Sequence, residues 1–443
     1  MAKLSPGLNK VISNVGWLSA EKFLTMLLTF FVGIYVVRYL GAEDFGKLSY
    51  SISFVALFTA ISKLGLDNIV IRNIVKKEEL TKELMGTAFV LKLLGTLFAM
   101  GLIGASIWKF NSDSQIRWMT LIIACSLVYD SFDVIYFWFQ SKVMSKPIAI
   151  VRSIQLLVSS AAKLLFVTME LPLIYFAWLT LAASMLRAIG MIAAYFQHKQ
   201  SIFHWQIGGP RAKELLKDSW PLLLSGVMIT IYMKIDQVML GNMSDIREVG
   251  NYAAAARFSA LWYFLPTAIC SSVFPAIIRA KERSRQEYYD KLQQLYDLMA
   301  WISIAIAIPM TFLSGFILTT LVGDEYAKAG TILALHIWAA PFVFLGVARG
   351  KWLVAENLTR FSLAATSLGA ITNILLNIFL IPSYGGIGAA FATIISYAVA
   401  SHIACLFYPP IFETGWMMTK ALLVPFRISQ NLTYLNMIRK TLR

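Results

Sequence analysis

Eleven ionisable side chains lie inside stretches of this sequence that are otherwise apolar. Lys22, Lys63, Lys92, Lys163, Arg187, Lys234 and Arg257 are basic; Glu21, Asp130, Asp133 and Asp236 are acidic. A charge in hydrocarbon costs a few kcal/mol unless it meets a partner or a water-filled cavity, so these positions are where chemistry should be sought. Their excess of positive charge suits an anionic ligand, which makes Lys22, Arg187, Lys234, Arg257 and Lys163 candidates for a cationic cavity. Lys22, Arg187 and Asp130 lie roughly nine to eleven residues from the inner ends of their runs, too deep to reach water by extending the side chain. Lys63, Lys92 and Lys163 are nearer to ends and suit snorkelling at least equally well, and Lys234 and Arg257 suit either role. Asp130 and Asp133 are three apart and share a helix face that Tyr136 continues. Mutual repulsion makes them candidate proton carriers; static pairing with a base such as Arg187 is the alternative. Glu21, a third coupling candidate, is about 100° around its helix from Lys22 and would meet a different neighbour. Lys234 and Asp236 are about 200° apart, so they cannot line one wall; Asp236 therefore reads as structural, packed against a basic group of another helix.

The elements that must position these groups are membrane helices. Read at roughly 17–25 residues per span, the apolar runs fall near 11–36, 48–65, 84–108, 118–139, 153–169, 172–196, 219–241, 250–276, 298–318, 330–348, 362–381 and 386–408. Odd-numbered connections hold six Lys or Arg (Arg38, Lys47, Lys109, Arg117, Arg247, Lys328), whereas the even-numbered connections and the two ends hold most of the 39 in the chain. Basic short loops stay in the cytoplasm, so both termini are expected inside. The expected organisation is an N-terminal six-helix bundle over 1–200, a cytoplasmic linker over 201–218, a C-terminal six-helix bundle over 219–408 and a cytoplasmic tail over 409–443.

A chain of 443 residues that is 58% hydrophobic and 14% charged exposes more apolar surface than a water-soluble fold can cover. The net charge of +15 is explained by loop orientation and anionic lipid, so nucleic acid is not the expected partner. Cys125, Cys270 and Cys405 are far apart and inside apolar runs, which reads as packing and excludes a disulfide or metal framework. The four histidines lack paired metal spacing, and phosphate-loop and nucleophile-elbow motifs are missing. No metal, no cofactor and no enzymatic activity are expected. The string Tyr384-Gly385-Gly386-Ile387-Gly388 reads as a tight turn. In the tail, Trp416, Met417, Leu422, Leu423, Phe426 and Ile428, with Lys420, Arg427, Arg439, Lys440 and Arg443, read as an interfacial segment on anionic lipid.

Internal punctuation repeats. Leu40-Gly41 through Gly46 parallels Leu240-Gly241 through Gly250, and Leu171-Pro172 between two spans parallels Ile381-Pro382. Six spans per half predict two parallel halves around a central cavity. The helix 7 string Ile235-Asp236-Gln237-Val238-Met239-Leu240-Gly241, followed by Val249-Gly250-Asn251-Tyr252-Ala253-Ala254-Ala255, resembles the Wzx-type polysaccharide flippases, in the superfamily that also holds multidrug extruders and lipid II flippases. Leu40–Gly46, Leu321-Val322-Gly323-Asp324-Glu325-Tyr326 and Pro382–Ala390 extend the resemblance. It implies an all-α transporter in the bacterial inner membrane that moves an undecaprenyl-diphosphate-linked oligosaccharide to the periplasmic leaflet by alternating access. A polysaccharide polymerase and a chain-length regulator are its candidate partners. A cation antiporter of the same superfamily and a membrane-embedded sugar polymerase are the alternatives. The net positive spans disfavour the antiporter, and the short outward loops disfavour the polymerase.

Overall fold

The computed structural model describes residues 6–432 and 434, and among them the regular structure is helical, without strands. The helices are α1 (Pro6–Lys63), α2 (Asp67–Lys76), α3 (Thr81–Phe110), α4 (Ser114–Asp130), α5 (Val134–Ser141), α6 (Ser145–Thr168), α7 (Ile174–Gln197) and α8 (Gly209–Met243). There follow α9 (Ile246–Ala260), α10 (Phe264–Arg283), α11 (Arg285–Val322), α12 (Ala327–His336), α13 (Ala340–Ala355), α14 (Thr359–Ala398), α15 (Ala404–Leu406) and α16 (Phe412–Leu422). Among the described residues, ten helical segments are long and apolar enough to cross a membrane. Two of them, Ser19–Lys76 at 58 residues and Thr359–Leu406 at 48, far exceed the roughly 20 residues that one crossing needs. Each carries a glycine with non-helical angles, Gly41 (φ 66) between the first two expected spans and Gly385 (φ 54) in the string that reads as a tight turn.

The chain forms two compact units, residues 1–238 and 239–443, with the boundary inside α8. In the first, α1 packs on α3, α4 and α6, while α7 packs on α4 and α6. Its core gathers Leu66, Val70, Met85, Phe137, Phe139 and Tyr195, together with Leu215 of α8. In the second, α11 packs against α10, α12, α13 and α16 around Tyr288, Leu292, Tyr296, Phe344 and Trp352.

Several helices predicted to be continuous are broken by short 3-10 turns, at Ser131–Asp133, Leu261–Tyr263 and Ile337–Ala339. Two of these have a covalent cause. Pro266 and Pro341 lack the N–H that would bond the carbonyl four residues back, at Trp262 and Ile337, so the ladder tightens there. At the Pro341 break the Ala340 N–H bonds the freed Ile337 carbonyl at the shorter spacing.

The connection expected over 201–218 is helical in its second half, because α8 begins at Gly209. What precedes it is fastened to the first unit. Gln206 N–H donates to Lys82 O at 3.1 Å, Gly208 N–H donates to Thr87 Oγ1 at 3.0 Å, and Trp205 packs against Phe89 and Tyr195. The tail is similarly docked on its own unit. Met417, Met418, Ala421 and Val424 are buried, and the fully buried Asp297 carboxylate accepts from Arg427 at 3.0 Å and Tyr434 at 2.6 Å. Trp416, Leu423, Phe426 and Ile428 stay exposed, as an interfacial segment needs. Arg439, Lys440 and Arg443 lie outside the described residues.

Gly65 shows how closely the first unit is packed. Its φ of +65° disfavours any side chain, and a Cβ there would lie 2.6 Å from Leu223 N and 2.8 Å from Ser219 O of α8. Gly65→Ala combines left-handed strain with overpacking against backbone, and should cost about 2–4 kcal/mol. Thermal unfolding of the detergent-purified variant checks this, and an unchanged melting temperature would contradict the packing described.

Candidate functional site

Helix α4 ends at Asp130, and Asp133 closes the 3-10 turn that follows. Residues three apart eclipse in a 3-10 turn, so both carboxylates point the same way, as the sequence predicts, though the helix is interrupted. Arg187 of α7 faces them. Its Nη2 donates to Asp130 Oδ1, and its Nε lies 3.9 Å from Asp133 Oδ1. One guanidinium thus relieves the repulsion expected between the two acids, and all three side chains remain partly accessible. Tyr136 continues this face, with the Arg152 guanidinium over its ring at 4.6 Å and Gln140 Nε2 donating to its hydroxyl at 2.6 Å.

Behind this pair lies a group that the sequence reading ranked as a snorkelling lysine. Lys92 of α3 is 1% exposed, and its ammonium sits 4.9 Å from the centre of the Phe137 ring. Its Nζ has no hydrogen-bond partner among the described residues, and neither has the buried Asp67 Oδ1 of α2. One turn further along α3, Thr96 Oγ1 lies 2.5 Å from Ser62 Oγ and 3.4 Å from Ser131 Oγ. A buried polar seam therefore joins the end of α1, the middle of α3 and the α4–α5 turn. The signal for Lys92 was present in the chain. It falls on the stripe Ala88, Lys92, Gly95, Thr96, Ala99 that α3 buries, whereas Leu94, Leu97 and Phe98 form the exposed face. Distance from a helix end says nothing about which face a residue occupies.

The remaining charges are dispersed. Lys22 on α1 and Lys163 on α6 are exposed, and Glu21 is half-buried and accepts from Thr25 Oγ1 at 3.2 Å. Lys234 on α8 is half-buried, and Asp236, two residues on, is buried at 3% exposure. Neither Lys22 nor Lys234 has a carboxylate within 4.0 Å among the described residues. Arg257 is half-buried in the last turn of α9, in the second unit. The fold thus joins Asp130, Asp133 and Arg187 into one cluster. Arg349, counted as a loop charge in the sequence, is buried in the second unit, where its Nη1 donates to Ala400 O at 2.7 Å and Ser401 O at 3.0 Å. Those carbonyls belong to the π-helical turn Val399–Ile403. No metal-holding group of His, Cys, Asp and Glu occurs among the described residues.

Among the described residues the chain is an all-helical protein with ten segments able to cross a membrane and charges held inside its apolar helices. Over 93% of this chain and 92% of the other, its fold matches a lipid II flippase, MurJ, in an inward closed conformation, with a TM-score of 0.73 at 17% identity. The polysaccharide biosynthesis protein family matches residues 11–281, and the chain belongs to that family. The MatE family matches residues 221–379. A probable flippase, AglR, of Haloferax volcanii is 32% identical over 194 residues, which span 41% of this chain and 39% of that relative. The capsular polysaccharide biosynthesis protein CapF of Staphylococcus aureus is 19% identical over 91% of this chain and its own full length. The match to AglR thus spans about two fifths of that relative's length, whereas the match to CapF spans all of it.

The geometry of the cluster predicts strong non-additivity. Arg187→Gln alone leaves two partly buried acids facing each other and should destabilise the protein by about 1–3 kcal/mol. Arg187→Gln combined with Asp130→Asn should recover about 1 kcal/mol or more of that loss. Unfolding of the single and double variants in detergent reads the coupling, and strictly additive effects would mean that the contact contributes nothing.

Proposed function

We propose that this protein is a flippase for lipid-linked oligosaccharide, moving an undecaprenyl-diphosphate-linked repeat unit from the cytoplasmic to the outer leaflet of the cell membrane by alternating access. The two bent helices would each cross twice, giving twelve spans with both ends in the cytoplasm. The observation that carries the reading is the sign of the charge inside the apolar helices, seven basic against four acidic groups. A diphosphate and a hydrated sugar must pass about 30 Å of hydrocarbon, and a cationic lining lowers the cost of the anionic head while the lipid tail stays among lipids. Lys22 and Lys234 suit that role best, because neither is committed to a salt bridge among the described residues. Arg187 is already engaged by Asp130, so its part is to hold the carboxylate cluster, with Asp130 and Asp133 coupling transport to an ion gradient. Lys163 extends the cationic lining within the first unit, Arg257 supplies basic charge within the second, and Asp236 is a structural group. The likeness to named flippases supports the cargo class, and the surplus of basic over acidic groups within the apolar runs opposes the cation-extruding alternative.

In cells whose own flippase gene is deleted, complementation with the wild-type chain should restore surface glycan. Lys22→Ala combined with Lys234→Ala should lower it by about tenfold or more, and arginine at both positions should retain most of it. Full export by a stably expressed double-alanine variant would remove these two lysines from the path. Reporter fusions after Lys199 and Ser284 should read cytoplasm, and fusions after Ser112, Ser244 and Asp324 should read outside; reversed signals at two sites would contradict the topology.

A further inference from the structure

The hairpin of α6 and α7 carries an apolar groove that neither the carboxylate cluster nor the cationic lining uses. Its volume is about 690 Å³, within the roughly 300–1,000 Å³ of small-molecule sites. Ile150, Val151 and Ile154 of α6 form one wall, and Gly190 and Ala193 of α7 the other. A Cβ on Gly190 would lie 2.8 Å from Val151 Cγ1, so the bare glycine is what lets the two helices approach there. Ile150, Ile154 and Ala193 are exposed, and the groove therefore opens sideways toward lipid. One end is closed by the turn between α5 and α6. There Asn14 of α1 donates from Nδ2 to Val143 O at 2.7 Å and accepts from the Ser145 N–H at 2.9 Å. Three polar side chains line that same end: Lys146 at the start of α6, Gln197 at the end of α7, and His198 just beyond it. The Lys146 ammonium lies 5.5 Å from the centre of the Trp17 ring, an aromatic–basic pair of the kind found at a membrane surface. It has no carboxylate within 4.0 Å among the described residues. His198 donates from Nδ1 to Ala194 O at 2.8 Å, which leaves Nε2 for another partner. Between Asp133 and Glu214 the one acidic residue in the sequence is Glu170, and it lies in the α6–α7 turn at the opposite end of the hairpin.

We propose that this groove binds one anionic phospholipid, with its phosphate on Lys146, Gln197 and His198 and one acyl chain laid along Ile150, Ile154 and Ala193. Charge complementarity names the occupant. A basic end without acids, on an apolar slot between two membrane helices, selects a headgroup that stays negative as a whole. A zwitterionic headgroup would bring its own ammonium to a place where no carboxylate receives it. A helix of another protein laid in the slot would cover the same apolar walls, but it gives the basic end no function. The lipid touches the start of α6 and the end of α7 together, and so ties the hairpin at the membrane surface. The topology proposed above puts this end in the cytoplasmic leaflet. The choice of leaflet rests on that reading, whereas the binding does not.

The probe is phosphatidylglycerol carrying a diazirine in one acyl chain, irradiated with the purified full-length protein in detergent. Peptide mass spectrometry should place the label on residues 146–154 and 190–198. Unlabelled phosphatidylglycerol should displace the probe at about tenfold lower concentration than phosphatidylcholine with the same chains. Lys146→Glu should cut labelling about tenfold and Lys146→Arg should keep it, which separates the charge from the packing of the side chain. Ala193→Phe, which fills the slot from an exposed position, should abolish labelling of α6. Equal displacement by the two lipids would mean ordinary boundary lipid and overturn the proposal. Labelling that neither Lys146→Glu nor Ala193→Phe reduces would overturn it as well. A wild type that is unlabelled in the groove and dimeric, and that Ala193→Phe makes monomeric, would give the slot to a second copy of the chain instead. If Ala193→Phe fails to accumulate, Ile154→Trp takes its place. Purified protein in detergent has neither cargo nor orientation, so a loss of glycan export or reversed reporter signals would count against the earlier reading alone.

Discussion

Hydrocarbon offers no hydrogen bonds, and the rest of this structure follows from that constraint. Within the bilayer each backbone N–H and C=O must find a partner in the protein, which is why helices dominate and why each departure from the helical ladder is answered locally. At Ile337 the carbonyl freed by Pro341 is taken by the Ala340 N–H. At the π-helical turn the carbonyls of Ala400 and Ser401 are taken by the buried Arg349 guanidinium. At the Gly385 bend the Gly386 N–H donates to Glu248 Oε2 at 2.8 Å, and the same carboxylate holds Lys328 at 2.5 Å. Arg349 and Glu248 thus serve as partners for broken backbone.

The first unit has one break to which that explanation does not fully apply. The turn Ser131–Asp133 contains no proline, and two carboxylates bracket it. Those carboxylates are answered by Arg187 from α7, while the Lys92 ammonium approaches from α3 and finds only an aromatic face.

Much of this was legible in the chain. Apolar runs at membrane length and the glycines at 41 and 385 follow from the bilayer acting as solvent, and the helical architecture matches them. The proximity of Asp130, Asp133 and Arg187 was readable as an alternative, since spacing fixes a shared face but cannot say which neighbour supplies the counter-charge. The breaks at Leu261–Tyr263 and Ile337–Ala339 could have been read from Pro266 and Pro341. The burial of Lys92 was also readable, from the small residues that flank it at helical spacing. By contrast, the role of Arg349 depends on a π-helical turn about fifty residues away in the chain, and the docking of the tail depends on Asp297 meeting Arg427 and Tyr434. Such pairings are tertiary and leave no local pattern.

The central claim is that a cationic interior moves an anionic lipid-linked glycan, and reconstitution addresses it most directly. The purified protein in liposomes would be given a fluorescent polyprenyl-diphosphate oligosaccharide in one leaflet, and its appearance in the other followed by quenching from outside. In parallel, liposomes loaded with ethidium would be monitored for efflux. The account predicts protein-dependent movement of the glycolipid, accelerated by an imposed ion gradient, with ethidium efflux no faster than in protein-free liposomes. Accelerated ethidium efflux with no movement of the glycolipid would contradict it.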